Sequence, residues 1–403
     1  MSKYLIDESE LSVNDISFEK SLSEAHARKE RPLCLCKLDG VEMYVAKLND
    51  VYFLKRMPGT GMLHDFRCHS FEPPAELSGL GQVSGSAIKE EGDNDNTKIK
   101  IDFSLSRMDG RKAPVMGEGE KKPGDVTTDP NKLTMRALLH YLYDQSGLNR
   151  YEPVSKVKRN WFQIRKALMQ SASNKLVNGN PLSELLFIPE TFFLDRKEEI
   201  KANRKKAISG AVYKGTGKRN MMMVFGEVKV IEPDSFGYKI IIKHLADFKF
   251  RISDDLYKRL SNKYALEIEL AGELQEDGHL LVMGTFFVDL KGYATMETCT
   301  LQIADENWII FENGSEKYLM NVLNEYSRSY IKGMRYNLNS DTPFASLVLT
   351  DTEHPTAMYV TAENNSELYF HRRERLISES KYKSWVWEVE EEMPELPTIR
   401  AVE

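Results

Sequence analysis

Cysteine placement constrains this chain more than any other feature. Three of its four cysteines, Cys34, Cys36 and Cys68, stand close together near the N-terminus, with His64 and His69 beside the last of them. In a reducing compartment such clustering points to a bound metal rather than to disulfides. The pattern is Cys34-x-Cys36, a hairpin-length insertion, then His64-x-x-x-Cys68-His69. Thiolate sulfur and imidazole nitrogen are the donors that zinc prefers, and two turns brought together by a hairpin give four ligands in a tetrahedron. Pro32, Gly59 and Gly61 supply the tight backbone that such turns require. Cys34, Cys36 and Cys68 are the expected thiolates. His64 is favoured as the fourth ligand, because three intervening residues let it curl back beside Cys68, and His69 is the alternative. A four-ligand site is closed to water and structural. With neither histidine bound the site would be open, and Glu72 or Glu76 would be the nearest base. Cys299 lies in a strand-like run and is expected in a core.

At 403 residues the chain is too long for one ordinary core, and two or three domains are expected. With 41% hydrophobic residues each can bury a core without disulfide staples. The net charge of −6 opposes wholesale coating of DNA or anionic membrane, while leaving room for a local basic face. No apolar run reaches membrane-spanning length. The opening MSKYLIDESELSVND has no basic segment followed by a long apolar stretch, so a cytoplasmic location is expected.

The expected fold class is α+β and multidomain. Residues 1–88 form a small zinc-binding β domain, beginning with a short helix or arm; VEMYVAKLNDVYFLKRM carries a hairpin about Asn49-Asp50. Residues 89–130 hold one strand, KIKIDFSL, followed by a mobile Gly/Pro-rich loop or linker. Residues 131–206 form a basic helical or winged-helix-like domain, with Gly147 capping its first helix. Residues 207–303 are a mostly antiparallel sheet. Its strands are MMMVFGEVKVI, YKIIIKHL, YALEIELAGEL, HLLVMGTFFVDL and YATMETCTLQI, with a capped helix at ISDDLYKRLSNK. Residues 304–403 alternate helix, two strands, helix and strand, ending in a loosely held MPELPTIRAVE.

RPLCLCKLDGVEMYVAKLNDVYFLKRMPGTGMLHDFRCHSFEPPAELSGLGQVSGSAI resembles the start of the bacterial domain of unknown function 1173 family. LLHYLYDQSGLNRYEP with KRNW, then FGEVK, ENWIIFEN and KGMRYNL, resemble its later blocks, so the resemblance covers nearly the whole chain. It implies a setting on plasmids or integrative mobile elements, and no particular chemistry. The Cys-x-Cys followed by His and Cys also resembles SWIM-type zinc modules, which bind nucleic acid or protein; their last pair is Cys-x-His, and this chain departs from it. The C-terminal helix with Glu316, followed by RYNLNSDTPFASLVLTD, TAMYV and a basic helix, is similar in order to PD-(D/E)XK nuclease-like domains. Those enzymes hold Mg²⁺ with a strand-borne Asp and the Glu of an ExK. Here Ala345, Ser346 and Leu347 stand in the first region and Met358, Tyr359 and Val360 in the second. Without these carboxylates the oxygen cage is missing, and the resemblance implies a degenerate nuclease-like domain.

Two stretches are locally basic. RYEPVSKVKRNWFQIRKAL places Lys156, Lys158, Arg159 and Arg165 around Trp161 and Phe162, and KANRKKAISGAVYKGTGKR adds Arg204, Lys205, Lys206, Lys214 and Lys218 with no acid. Such density suits a phosphate-tracking surface; Lys156, Lys158, Arg159, Arg165, Lys205 and Lys206 are the candidate nucleic-acid ligands. GTGK at 215–218 lacks the full phosphate-loop pattern and reads as a turn. His140 and His244 read as packed histidines. The expected function is a nucleic-acid-binding accessory protein with a structural zinc and no intact catalytic site. Its partners would be DNA or RNA and other mobile-element proteins. A metal-dependent nuclease using Glu316 and Asp351, and a protein-interaction scaffold, remain as alternatives.

Overall fold

A computed structural model describes residues 3–91, 96–108, 129–153, 158–235, 237–362 and 365–401. The loop expected within 109–128 and the candidate ligand Lys156 lie outside the described residues. The protein is α+β, as its sequence suggests. Among the described residues no helix is long and apolar enough to cross a membrane.

Strands Lys3–Ile6, Ser9–Ser12, Leu33–Cys34, Val41–Leu48 and Val51–Arg56 form an antiparallel N-terminal sheet, in which Leu33–Cys34 lies between the first and fourth of them. The expected hairpin is present: Leu48 faces Val51, and Asn49 and Asp50 both take positive φ (47° and 65°). That is the two-residue turn whose twist matches its strands. The first segment is more ordered than an arm. It folds as a short hairpin and helix Phe18–Arg28, whose Leu22 and Ala25 enter the core with Tyr4, Ile6 and Met43.

In the middle segment, helices Met135–Ser146 and Trp161–Ala172 pack together. Asn160 and Gln163 close a capping box on the second, and Gly147 ends the first in the left-handed conformation expected of it. Beside them lies a four-stranded sheet to which Ile88–Glu91 and Asn96–Ile99 contribute, so this region is not helical alone. KIKIDFSL is not one strand either: only Lys98 and Ile99 belong to a strand, Asn96–Ile99, which joins that sheet, and the chain runs on to Ser106–Met108, which pairs with Lys218–Asn220.

Residues 222–305 build a closed barrel. Its five strands in chain order are Met222–Asp234, Gly237–Ile242, Phe250–Ile252, Gly278–Val288 and Ala294–Asp305. The first pairs with the second and the second with the third. The third runs parallel to the fifth, the fifth pairs with the fourth, and the fourth returns to the first. Ile240, Ile242, Phe250, Ile252, Phe286 and Leu301 fill the inside, and Cys299 is buried there as expected. YALEIELAGEL, expected as a strand, is helix Ala265–Leu274, lying after Asp254–Lys263 between the third and fourth barrel strands. Its Leu, Ala and Glu are strong helix formers. Ile268 packs on the barrel core while Leu270, Ala271 and Leu274 pack on the C-terminal core. The short apolar–polar alternation misled because two cores share this one helix.

The C-terminal part runs helix Gly314–Glu325, strands Tyr330–Lys332, Leu347–Leu349 and Thr356–Thr361, helix Glu367–Glu379 and strand Lys383–Glu388. The three strands are antiparallel, and the last lies parallel to Thr356–Thr361. Arg150–Tyr151 adds an edge strand from the middle segment. The tail is not loose. Trp385 and Trp387 donate indole N–H bonds to Glu395 O (3.0 Å) and Glu391 O (3.1 Å), and Arg400 N donates to Asp351 O (2.9 Å). One core runs through Val83, Leu138, Trp161, Phe225, Met283 and Tyr336, so residues on both sides of the expected boundaries at 130, 206 and 303 pack together. At Gly333 an added Cβ would stand 1.9 Å from Ala345 O, a backbone atom. Gly333→Ala is therefore expected to cost about 1–3 kcal/mol by overpacking, read as a lower urea midpoint; an unchanged midpoint would contradict the close approach.

Candidate functional site

The N-terminal sheet delivers the candidate metal ligands. Cys34 ends its strand between Tyr4 and Val41, and Cys36 follows in the turn to Gly40. His64 leaves the single helical turn Gly61–Leu63, and Cys68 closes a further turn by donating its N–H to Asp65 O (2.8 Å). Gly61 is obligatory here, since a Cβ would meet Glu72 Cβ at 2.4 Å; its carbonyl accepts from both His64 N (3.3 Å) and Glu72 N (3.2 Å).

These turns bring one donor atom each from Cys34, Cys36, His64 and Cys68 within 4.8 Å of one another. Cys34 Sγ and Cys68 Sγ are 3.6 Å apart; His64 Nδ1 stands 3.4 Å from Cys36 Sγ and 3.7 Å from Cys68 Sγ. A tetrahedral ion with ordinary zinc bond lengths sets sulfur–sulfur edges near ~3.8 Å and sulfur–nitrogen edges near ~3.6 Å. The donor set therefore fits a single ion. Cys34, His64 and Cys68 are buried and Cys36 half-buried. Backbone amides point at the sulfurs: Asp65 N lies 3.5 Å from Cys36 Sγ and Ser70 N 3.4 Å from Cys68 Sγ. The hydrogen bond with the Cys34 thiol, helped by His64, pulls the Cys68 thiol down to about 4. Burial pushes Cys36 up, and Cys34, on the donating side of that bond, also goes up. His69 stays outside the cluster, its side chain exposed and directed toward Glu152 (4.0 Å). Glu72 is held by Arg56 at 2.8 Å, beyond the cluster.

The candidate cations divide. Arg165, on helix Trp161–Ala172, and Lys206, on helix Lys197–Ala207, line one cavity of about 1050 Å³. Arg204 and Lys218 line it too, and Glu184 and Glu190 are its carboxylates. Arg165 keeps its place by donating Nε–H to Ile188 O (3.0 Å), and burial lowers its pKa. Arg204 is clamped to Asp247 by two bonds of 2.8 and 3.0 Å. Lys158 and Lys205 are exposed and do not line this cavity. Arg159 turns inward. Its guanidinium donates to Leu148 O (2.6 Å), Asn307 O (3.2 Å) and Arg150 O, which ties the two middle helices to the barrel end. Lys218 belongs to GTGK, expected only as a turn; Gly215 and Gly217 do take positive φ (90° and 76°). Arg251 and Tyr293, described below, carried no motif. Each sits in a short polar–apolar alternation that resembles any surface strand.

The carboxylates of the nuclease alternative are already engaged. Glu316 Oε2 is 3.2 Å from Lys332 Nζ, both side chains buried, and Asp351 accepts two bonds of 2.9 Å from Arg328 and one of 2.8 Å from Ser329 N. His140 is packed as expected, its Nδ1 accepting from Tyr336 N (2.9 Å) and burial lowering its pKa to about 4.

Fold and site together define an α+β protein built around a small closed barrel, with a Cys₃His cluster on its N-terminal sheet. The chain belongs to the DUF1173 family, described as a protein of unknown function, whose model matches residues 4–390. No curated protein and no solved structure matches it.

Proposed function

We propose that this protein is a nucleic-acid-binding accessory factor that uses a structural zinc ion and carries out no chemistry of its own. The observation that carries the reading is the cavity in which Arg165 and Lys206, from two separate basic runs, meet Arg204 and Lys218. Arg204 is held by Asp247, which leaves Arg165, Lys206 and Lys218 facing Glu184 and Glu190 on a concave surface suited to a phosphate backbone. The closed barrel beside it supports the same class by fold-level analogy, since five-stranded barrels of this kind include oligonucleotide and oligosaccharide binders. The four-donor cluster supports zinc, because three thiolates with one imidazole form a soft set and fill a tetrahedron. With no position left for water, the ion would hold turns together. The helix–three strands–helix–strand order of the C-terminal part supports a degenerate nuclease-like domain, its acids spent on Lys332 and Arg328. The bacterial mobile-element setting and DNA or RNA as partner belong to this proposal.

Affinity for duplex or single-stranded oligonucleotides should fall steeply with salt as counterions are released. In a filter-binding series, Lys206→Gln and Arg165→Gln should each weaken binding and reduce the log–log salt slope by about one unit. Wild-type slope and affinity in both variants would sink the cavity as the binding surface.

A further inference from the structure

The two-stranded antiparallel ribbon of Ser106–Met108 and Lys218–Asn220 has two faces. Ser106, Lys218 and Asn220 look into the cavity. The alternate residues, Arg107 and Arg219, fall on the other side, against the outside of the barrel. There Arg107 binds Glu297 of the fifth strand (2.7 Å), and the Arg219 guanidinium lies 5.0 Å from the Tyr213 ring and 5.1 Å from the Phe287 ring. The row continues along the barrel. Arg251, outward between inward Phe250 and Ile252, lies 3.7 Å from the ring centroid of Tyr293. Tyr293 stands in the loop between the fourth and fifth barrel strands and is 46% exposed.

This loop is fixed. Asp289 Oδ1 accepts from Lys291 N and Tyr293 N, both 2.9 Å, and Asp289 N donates to Tyr293 O (2.9 Å). The GTGK turn leans on it: a Cβ at Gly215 would sit 3.6 Å from Leu290. Lys291, in the same loop as the ring, and Lys214, beside Gly215 where the GTGK turn meets that loop, are exposed. The acids of the same face are paired: Asp234 and Glu232 with Lys239 and Arg251, and Glu297 with Arg107. Asp289 is the loop's own carboxylate, turned onto backbone amides, so Lys214 and Lys291 together leave the two loops one positive charge in surplus.

A rigid, half-exposed ring with a cation beneath it and ammonium groups on its loop and the adjoining turn is what an unpaired base and its flanking phosphates require. A duplex hides its base faces and offers this ring nothing to stack on. We propose that the outer face of the barrel binds single-stranded nucleic acid, one base stacking on the open side of Tyr293 while Lys214 and Lys291 hold neighbouring phosphates. The proposal rests on the nucleic-acid reading above and adds the strandedness and a second surface. The ribbon, with Lys218 on its cavity face, joins this surface to the cavity, so a single strand can run from one to the other.

The test is fluorescence anisotropy on the full chain, with a labelled oligothymidylate of about 15 nucleotides, near the upper reach of one barrel, and a duplex of the same length. Tyr293→Ala is expected to weaken single-strand binding about ten-fold, in line with the loss of one base stack, while duplex binding stays as in wild type. Tyr293→Trp keeps a stacking surface and should restore the affinity. If Tyr293→Ala binds the single strand as wild type does, while Lys206→Gln weakens it, the barrel face is overturned and the cavity reading stands. If neither oligonucleotide binds at any salt, both fall.

Discussion

Zinc analysis of the purified chain is expected to return about one ion per molecule, and Cys34→Ser or Cys68→Ser should lose it. Cys299→Ser, a change inside the barrel core, should keep it. The expected structural consequence is large. In isolated zinc modules at neutral pH the bound ion supplies roughly 10–16 kcal/mol of apparent folding energy. Here the turns that carry the ligands are otherwise held by a few hydrogen bonds and by packing of Cys34, Cys68 and Phe71 against Met43 and Ile331. Ile331 belongs to the C-terminal sheet, and Arg150 of the middle segment donates to Phe71 O (2.7 Å). The cluster is therefore a joint between three parts of the chain. Stripping the ion with a strong chelator should abolish amide-exchange protection over 33–48 and 61–72 and lower the melting temperature, with the barrel strands 222–228 and 281–287 the last to exchange. A metal-free chain with full protection over both segments would show that the four side chains are merely a packed cluster.

Glu316→Gln is expected to destabilise the protein by about 3–5 kcal/mol, because it leaves the Lys332 ammonium buried without its counter-charge. The pair lies 3.2 Å apart with side chains 3% and 1% exposed, so water cannot replace the lost partner. The same carboxylate accepts the Glu312 N–H (2.8 Å), and Lys332 donates to Gly333 O (2.8 Å), so the lost charge disturbs a local network. Replacing both partners, Glu316→Gln with Lys332→Met, should recover much of the loss, since two neutral groups carry no buried charge. Urea denaturation of the three variants measures this directly. The result also separates the two functional classes. A catalytic Glu316 would give a variant of unchanged stability that loses Mg²⁺-dependent cleavage of DNA. A structural Glu316 gives the opposite pattern, and that is the pattern the ion pair implies.

Local signals in the sequence were dependable wherever one short segment settles its own geometry. Asn49-Asp50 specified its hairpin through two positive φ angles, and Gly147 ended its helix. They failed where neighbours decide. ALEIELAGEL has both a strand-like alternation and helix-forming composition, and only its position between two cores selects the helix. KIKIDFSL looked continuous because nothing in it announces that its strand ends at Ile99, its second residue. Arg159 was indistinguishable from Lys158 as a surface cation until the carbonyls of residues 148, 150 and 307 gathered around it.

The sequence by itself determined the three clustered thiols, since cysteines at short spacing are a chemical statement that needs only two turns to meet, and it left His64 and His69 for the fold to choose between. It also determined the α+β class and a helix end such as Gly147, which depends on residues within a turn of each other. Only the tertiary structure decided that Met222–Asp305 closes into a barrel, because closure requires the first and fourth strands to find each other across roughly fifty residues of intervening chain. It alone decided which cations face a cavity and which are consumed by carbonyls or carboxylates. Charge is a property of a residue, but the field it contributes depends on what is packed around it.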